Sequence, residues 1–528
     1  MKETIKKIKY KMHFLSYTFY LILFFLSLSY ISSTEKKSEP VTKNILMFTF
    51  PGGKSHVFIF LELLRTTFNK LKVDRPNTKY KFHVLVHNYD IKLWDELEGY
   101  EDYQLYGFGS VEEYDKKFIA AMDLAKEDPI FGYNKFNEAM IFLNGEFLNS
   151  KVHETLKHIS FDLIITDVIN LIAPFLKREL NIPKMIYVNP TCIYTWVMPN
   201  MEYNAAYEPV LGTTFSNEMS FWQRMSNTGI KKGTELMYNG FKTSQNKLFI
   251  EKGYEMIDPF QPNSLFMNQC VNGVHFPVSL PPNFIPAGAF LPRPAKVLTE
   301  PKLNEFLSKY KNNIYVSQGT ITKAMKVEQL IDIFKFYPEI GFVFSIRKDM
   351  KIETELPENV LGMSWVRQND LLGDSRIKAF VTHGGLNSIL ESIYHAKPMI
   401  VLGTSIDQVN SAALVKSRQY GISFTSDKSI TKEKLIESIK EILDNPIYKE
   451  NITKASQIVK DNNGKETFYY WLNYVLDNGY EHLIIPAVLQ YNSFQIFNYD
   501  ILVVLMVILI ISMLIFLWIV KRSLCKQH

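Results

Sequence analysis

Apolar runs and amphipathic stretches alternate along this chain, stop at a proline-rich interruption, and then alternate again. Residues 44–50 (NILMFTF), 81–87, 161–166 (FDLIIT) and 184–188 read as strands, and their near-continuous apolar character suits strands buried on both faces. Helical patterns occupy 57–72 and 171–180, with further helical stretches over 111–157. Residues 198–250 change character: Tyr203, Tyr207, Phe215, Phe221, Trp222 and Met225 read as ordinary helix packing. Pro281, Pro282, Pro286, Pro292 and Pro294 follow; proline fixes φ and removes an amide donor, so this segment reads as an irregular interdomain linker. Beyond it come strands at 314–316, 341–346, 362–365, 379–381 and 399–402, with helices over 326–336 and from about Asn387.

Strands alternating with helices predict parallel sheets. Two such halves joined by a linker predict an α/β protein of two Rossmann-like domains facing across a cleft. The expected divisions are 34–280 for an N-terminal domain, 281–298 for the linker and 299–480 for a C-terminal domain. A chain of 528 residues fits two domains better than one. Basic residues Lys2, Lys6, Lys7, Lys9 and Lys11 precede an apolar run at 14–31, so 1–33 reads as a signal peptide, with an uncleaved anchor as the alternative. Residues 501–520 carry no charge and are long enough to span a bilayer, after a juxtamembrane segment at 481–500. Lys521, Arg522 and Lys526 follow, which places the tail 521–528 in the cytosol and the bulk of the chain on the other side.

Composition narrows the chemistry. A net charge of +5, much of it in the tails, does not point to nucleic acid. Three cysteines, Cys192, Cys270 and Cys525, exclude a disulfide framework and allow one bridge at most. CxxC, HExxH and DxD spacings are all missing from the sequence, so no metal site is expected. Gly53-Lys54-Ser55 imitates the end of a phosphate-binding P-loop, but Phe48 stands where that motif needs its first glycine. Asn451-Ile452-Thr453 is a glycosylation sequon.

Two turns carry candidate chemistry. The strand at 379–381 ends in Thr382-His383-Gly384-Gly385 before a helix; helix starts expose unpaired N–H groups that suit phosphate, and glycines let the backbone come close. A second strand leads to Asp407-Gln408, a pair able to bond hydroxyls. In the first half, His56 precedes a helix start, where the dipole disfavours the imidazolium, so a neutral base near pH 7 is expected. Asp167 ends a later strand, where ligand crevices of open α/β sheets lie; a helix-capping role is its other reading.

The run W-x-x-Q-x-x-L-L, then THGG-x-NS-x-x-E, then DQ, spread over 365–408, resembles the donor-binding signature of the UDP-glycosyltransferase family, in its membrane-anchored, glucuronosyltransferase-like animal form. The resemblance implies a GT-B architecture and transfer, with inversion, of glucuronate or glucose from a UDP-sugar to a small lipophilic acceptor. It implies no bound cofactor and no metal, the UDP-sugar being a co-substrate. His56 takes the family's position of general base and Asp167 that of its partner. Trp365 would stack on uracil, and Gln368 and Glu391 would take ribose hydroxyls. Ser317, Gly319, Thr320, His383, Gly384, Gly385, Asn387 and Ser388 would surround the diphosphate, and Asp407 and Gln408 would grip the sugar. Residues 464–476 resemble the helix that, in relatives, returns to brace the first domain. The family also implies a single-pass type I protein of the endoplasmic reticulum with lumenal catalytic domains, glycosylation at Asn451, and room for homo- or hetero-oligomers. Cys525, where a dilysine tail would have lysine, leaves that retention signal incomplete. Arg367 and Gly403 stand where the family commonly has proline, and Gln318 where it has an apolar residue; these changes are expected to loosen loops without removing a catalytic group. A catalytically silent, ligand- or partner-binding member of the same fold is the alternative function, and retention of His56 and Asp167 argues against it.

Overall fold

The computed structural model describes residues 41–524 except 52, 122–128, 193–203, 257, 259–260, 262, 320–324, 347–351, 353–354, 405, 426–428, 486–489, 491–492 and 497. The N-terminal basic–apolar segment, Tyr203, Thr320, Cys525 and Lys526 lie outside the described residues.

The first apolar run pairs as β1 (Val41–Phe48), in parallel with β2 (Thr78–His87) on one side and β4 (Leu163–Asp167) on the other. With β3 (Tyr103–Phe108), β5 (Lys184–Asn189), β6 (Leu265–Asn268) and β7 (Phe284–Pro286) the sheet runs β3-β2-β1-β4-β5-β6-β7. Alternate residues of β1 face opposite layers, as a period of two demands. Ile45 and Met47 join a core with Val57 and Phe60, whereas Leu46 and Phe48 join one with Phe147 and Phe175. Burial on both faces is why the strands read as continuous apolar runs.

The second sheet consists of β8 (Asn312–Ser317), β9 (Ile340–Ser345), β10 (Val360–Met363), β11 (Ile377–Thr382), β12 (Met399–Leu402) and β13 (Gly421–Phe424). Its order is β10-β9-β8-β11-β12-β13, and each pairing is parallel. Both sheets are Rossmann-like, and both reverse winding direction between their first strand and a later one: at β1/β4 and at β8/β11. A crevice opens at such a switch point, outside the carboxyl ends of the strands.

The helices that matter for the site are α1 (Lys54–Asp74), α2 (Phe221–Glu251), α3 (Gln368–Gly373), α4 (Leu386–Tyr394), α5 (Ile406–Ser417), α6 (Gly464–Asn478) and α7 (Tyr499–Leu524). Helix α6 follows the second sheet in sequence but packs on the first domain: Phe468, Leu472 and Val475 share a core with α1. Tyr80 donates to Asn473 at 2.6 Å, and Lys184 donates to the carbonyl of Val475 at 2.7 Å. Residues 501–520 of α7 are exposed throughout, and α7 is long and apolar enough to cross a bilayer.

Two features depart from the sequence expectation, and a third falls within what it allowed. Helix α1 starts at Lys54, so His56 lies in its first turn and not before it; Gly53 supplies the start without a side-chain cap. The proline-rich segment is not irregular throughout, because Phe284–Pro286 adds β7 to the sheet edge, where a missing proline N–H is tolerated. Cys192 and Cys270, whose Cα atoms are 4.9 Å apart, form a disulfide between the segments that leave β5 and β6.

Candidate active site

At the β1/β4 switch point, the chain leaves β1, turns through Gly53 and enters α1, which presents His56 towards the end of β4. Asp167 ends that strand. The two side chains meet with His56 Nδ1 2.7 Å from Asp167 Oδ2. Asp167 is fully buried and His56 is 15% exposed. The second Asp167 oxygen accepts from the N–H of Ile169 at 2.9 Å, so the carboxylate is fixed at both atoms. With Nδ1–H donating to Asp167, the Nε2 lone pair is the one left to act as a base. Burial pushes the imidazole pKa down, but the charge and hydrogen bond of Asp167, joined by the charge of Asp407, outweigh it and raise it above 6.5. This corrects the expectation from the helix start alone: a buried carboxylate in contact overrides the weaker dipole.

The donor-side residues assemble at the β8/β11 switch point. Ser317 Oγ accepts from the N–H of Gly319 at 3.3 Å. The His383 ring lies between two glycines. A Cβ on Gly319 would sit 2.6 Å from that ring, and one on Gly385 would sit 2.7 Å from its Nε2. Gly319 also holds a φ of +75°, a left-handed conformation that favours glycine. Gly385 precedes α4 without a side-chain cap, so the first amides of α4 lack a competing side chain there. Asn387 and Ser388 are in that first turn. Gln368, at the start of α3, donates to Ser388 Oγ at 3.1 Å and to Glu391 at 2.5 Å, and accepts from Tyr315 at 3.3 Å. Burial pushes the Glu391 carboxyl up to about 7, against the opposing bond from Gln368. Trp365 is 61% exposed and faces Phe58 of the first domain, ring centroids 6.1 Å apart. Asp407 lies in the first turn of α5; burial raises its pKa, while its own amide, the charge of His56 and the amide of Gln408 oppose the rise. Gln408 Oε1 accepts from the N–H of Thr404 at 3.4 Å.

The two halves touch at this point. Asn387 donates to the carbonyl of Ser55, the residue before His56, at 3.3 Å. Its oxygen accepts from Gln269 at 2.7 Å. Gln269 is fully buried, also donates to the carbonyl of Pro190 at 3.0 Å, and accepts from the N–H of Phe290 at 3.2 Å. No motif or period marks Gln269 in the sequence; only the folded chain brings it to the donor helix. Asn451 lies inside the helix Pro446–Asp461, with its amide 3.4 Å from Gln419 Oε1. Among the described residues no group of three or more His, Cys, Asp or Glu could hold a metal ion.

The unusual residues have local explanations. The Gln318 carboxamide accepts from the N–H of Met325 at 2.9 Å and donates to its carbonyl at 3.0 Å, two bonds that an apolar residue could not make. Arg367 reaches Glu300 at 3.2 Å. A Cβ on Gly403 would lie 2.6 Å from the carbonyl oxygen of Gln408, so glycine there permits the close start of α5.

Residues 109–527 match the family model described as UDP-glucoronosyl and UDP-glucosyl transferase (UDPGT), a stretch that begins after His56. Human UDP-glucuronosyltransferase 2B17 is 28% identical over 365 residues, covering 66% of this chain and 68% of the relative. Human 2-hydroxyacylsphingosine 1-beta-galactosyltransferase is 27% identical over 386 residues, covering 71% of this chain and 70% of the relative. In fold, the chain resembles a UDP-glucose: anthocyanidin 3-O-glucosyltransferase solved in complex with UDP, with a TM-score of 0.55, 17% identity, and coverage of 84% of this chain and 99% of that one. The match spans well over half the chain and includes the whole second sheet with its glycine turns, and on that ground this protein belongs to the UDP-glycosyltransferase family.

Proposed function

We propose that this protein is an inverting, metal-independent transferase that moves glucuronate or glucose from a UDP-sugar to the hydroxyl of a small lipophilic acceptor. The observation that carries this reading is the buried His56–Asp167 pair, set at 2.7 Å and joined through Ser55 and Asn387 to the first turn of the donor helix. Nε2 of His56 takes the acceptor proton as the acceptor oxygen bonds to the anomeric carbon. The bond from that carbon to the phosphate oxygen breaks on the opposite face, and UDP leaves with the electron pair. Asp167 holds the imidazolium that forms. The α4 amides, His383 and Ser317 meet the charge that develops on the diphosphate, which is electrostatic stabilisation by groups fixed in advance. Trp365 covers uracil, Gln368 and Glu391 take the ribose, and Asp407 and Gln408 take the sugar hydroxyls. Helix α7 anchors the enzyme to the endoplasmic reticulum membrane with the catalytic domains lumenal; the Cys192–Cys270 bridge suits that oxidising side.

The test is transfer by membranes containing the full chain, supplied with labelled UDP-glucuronate, UDP-glucose or UDP-galactose and 4-nitrophenol, with and without EDTA. Product from at least one donor, undiminished by EDTA, is expected. UDP binding without transfer to any of a panel of phenols and alcohols would overturn the reading.

A further inference from the structure

We propose that Asn410 is a positioning residue for the transfer: the backbone of the 204–213 loop clasps its carboxamide and so holds the first turn of α5 against the base. The proposal rests on the transfer reading above and adds to it a residue that touches neither substrate.

The clasp is a two-point bond. The N–H of Gly212 donates to Asn410 Oδ1 at 2.7 Å, and Asn410 Nδ2 donates to the carbonyl of Val210 at 3.2 Å. A side-chain amide that gives and takes a bond with one short backbone stretch mimics a strand pair, and it fixes direction as well as distance. The loop is itself braced within the N-terminal domain. Asn227 of α2, fully buried, accepts from the N–H of Val210 at 2.9 Å and donates to the carbonyls of Glu208 at 2.7 Å and Ala205 at 2.9 Å. Glu208 is also buried and accepts from the N–H of Ser279 at 2.8 Å. Thr213 closes the tip by donating to the carbonyl of Val210 at 2.8 Å. The clasp therefore presents a rigid edge of one domain to a helix of the other.

That helix carries the sugar-side pair. Asn410 stands three residues after Asp407, so the two occupy neighbouring positions on α5. Asp407 is the charged group of the second domain that acts on His56; Asp167 is the one from the first. Releasing Asn410 frees the α5 start to shift away from the cleft, taking Asp407 from the imidazole and from the sugar. A misplacement of about 1 Å at such a point can cost about 10²-fold in rate. The contacts of Asn387 lie at the start of the neighbouring helix α4, whereas those of Asn410 lie on α5 itself.

The experiment compares wild type, Asn410→Ala and Asn410→Gln as full chains in detergent. The readouts are kcat and kcat/KM against pH with 4-nitrophenol and the active donor, together with thermal melting in the presence and absence of UDP. Asn410→Ala is expected to lose about tenfold or more in kcat, to keep UDP-induced stabilisation, and to show its acid limb moved to lower pH as Asp407 withdraws. Asn410→Gln keeps the amide on a longer arm and should recover part of both effects; it carries the test alone if the alanine variant does not fold. Unchanged kcat and an unchanged acid limb in a folded variant would overturn the proposal while leaving the transfer reading intact. An inactive wild type that binds UDP would overturn the transfer reading instead.

Discussion

Asp167→Asn isolates the electrostatic part of the base. Asparagine is nearly isosteric, and its oxygen can still accept from the N–H of Ile169. What changes is the contact at 2.7 Å with His56 Nδ1. An amide NH₂ donates where the carboxylate accepted, so Nδ1 must become the acceptor and Nε2 takes the proton. The imidazole then points an N–H at the acceptor hydroxyl, and the tautomer that can act as a base becomes the minor one. The same swap in Ser-His-Asp enzymes costs about 10⁴ in kcat, and a general base is worth about 10²–10⁴; a loss within that range is expected here. The pH profile gives an independent sign. The base must be neutral to accept a proton, so kcat/KM rises with pH through the His56 pKa, which in the wild type lies above 6.5. In the variant the largest upward influences are gone and burial dominates, so the residual rate should titrate below 6.5. Stability follows the same linkage. A histidine whose folded pKa is raised contributes stability that is fully present below its unfolded pKa of about 6.5 and is lost as pH rises through the folded value. The stability gap between wild type and variant should therefore narrow across that window. Rates from about pH 5 to about pH 9 with 4-nitrophenol, and melting curves over the same range, measure both. A variant with wild-type turnover, or with its acid limb unmoved, would refute the base assignment.

Gly319→Ala places a methyl 2.6 Å from the His383 ring at a φ of +75°; UDP affinity by calorimetry should fall about tenfold or more, since strain of about 1–3 kcal/mol is set directly on the site. The Glu391 carboxyl sits at about 7; in its proposed role it accepts from ribose hydroxyls in its ionised form, so UDP binding should release protons and strengthen as pH rises through 7. Glu391→Gln should abolish that release, as read by calorimetry in buffers of different ionisation enthalpy. Leu472→Ala, in the α6 face buried against α1, should cost about 2–5 kcal/mol in reversible unfolding while leaving UDP contacts intact.

Much of the architecture is local in origin. Residues 379–381 form a strand because three apolar residues buried on both faces leave nothing for solvent, and the strand ends where His383-Gly384-Gly385 supplies a φ of +91° at Gly384. The same logic makes 44–50 legible, and an uncharged run of twenty residues marks α7 wherever it lies. Short strands were less visible. β6 has four residues and β3 mixes polar with apolar ones, so neither has enough period to declare itself. β13 opens with Gly421, a residue chosen for the approach of another backbone: a Cβ there would lie 1.8 Å from the carbonyl of Met399.

That His56, at the helix start after the first strand, and Asp167, at the end of a later one, meet could be read from the chain, because parallel strands of one sheet open their carboxyl ends on one crevice. The sign of the histidine's shift could not. It depends on a carboxylate 111 residues away and on a second one across the cleft, and contact at 2.7 Å in a buried site outweighs both the helix dipole and desolvation. Gln269 and Asn410 were equally silent. Each is an ordinary polar residue with no cap, turn or repeat to mark it, and each matters through a partner 118 or about 200 positions away. Period and turn chemistry are properties of neighbours along the chain. Which amide crosses the cleft to which carbonyl is set only when two separately folded sheets come face to face.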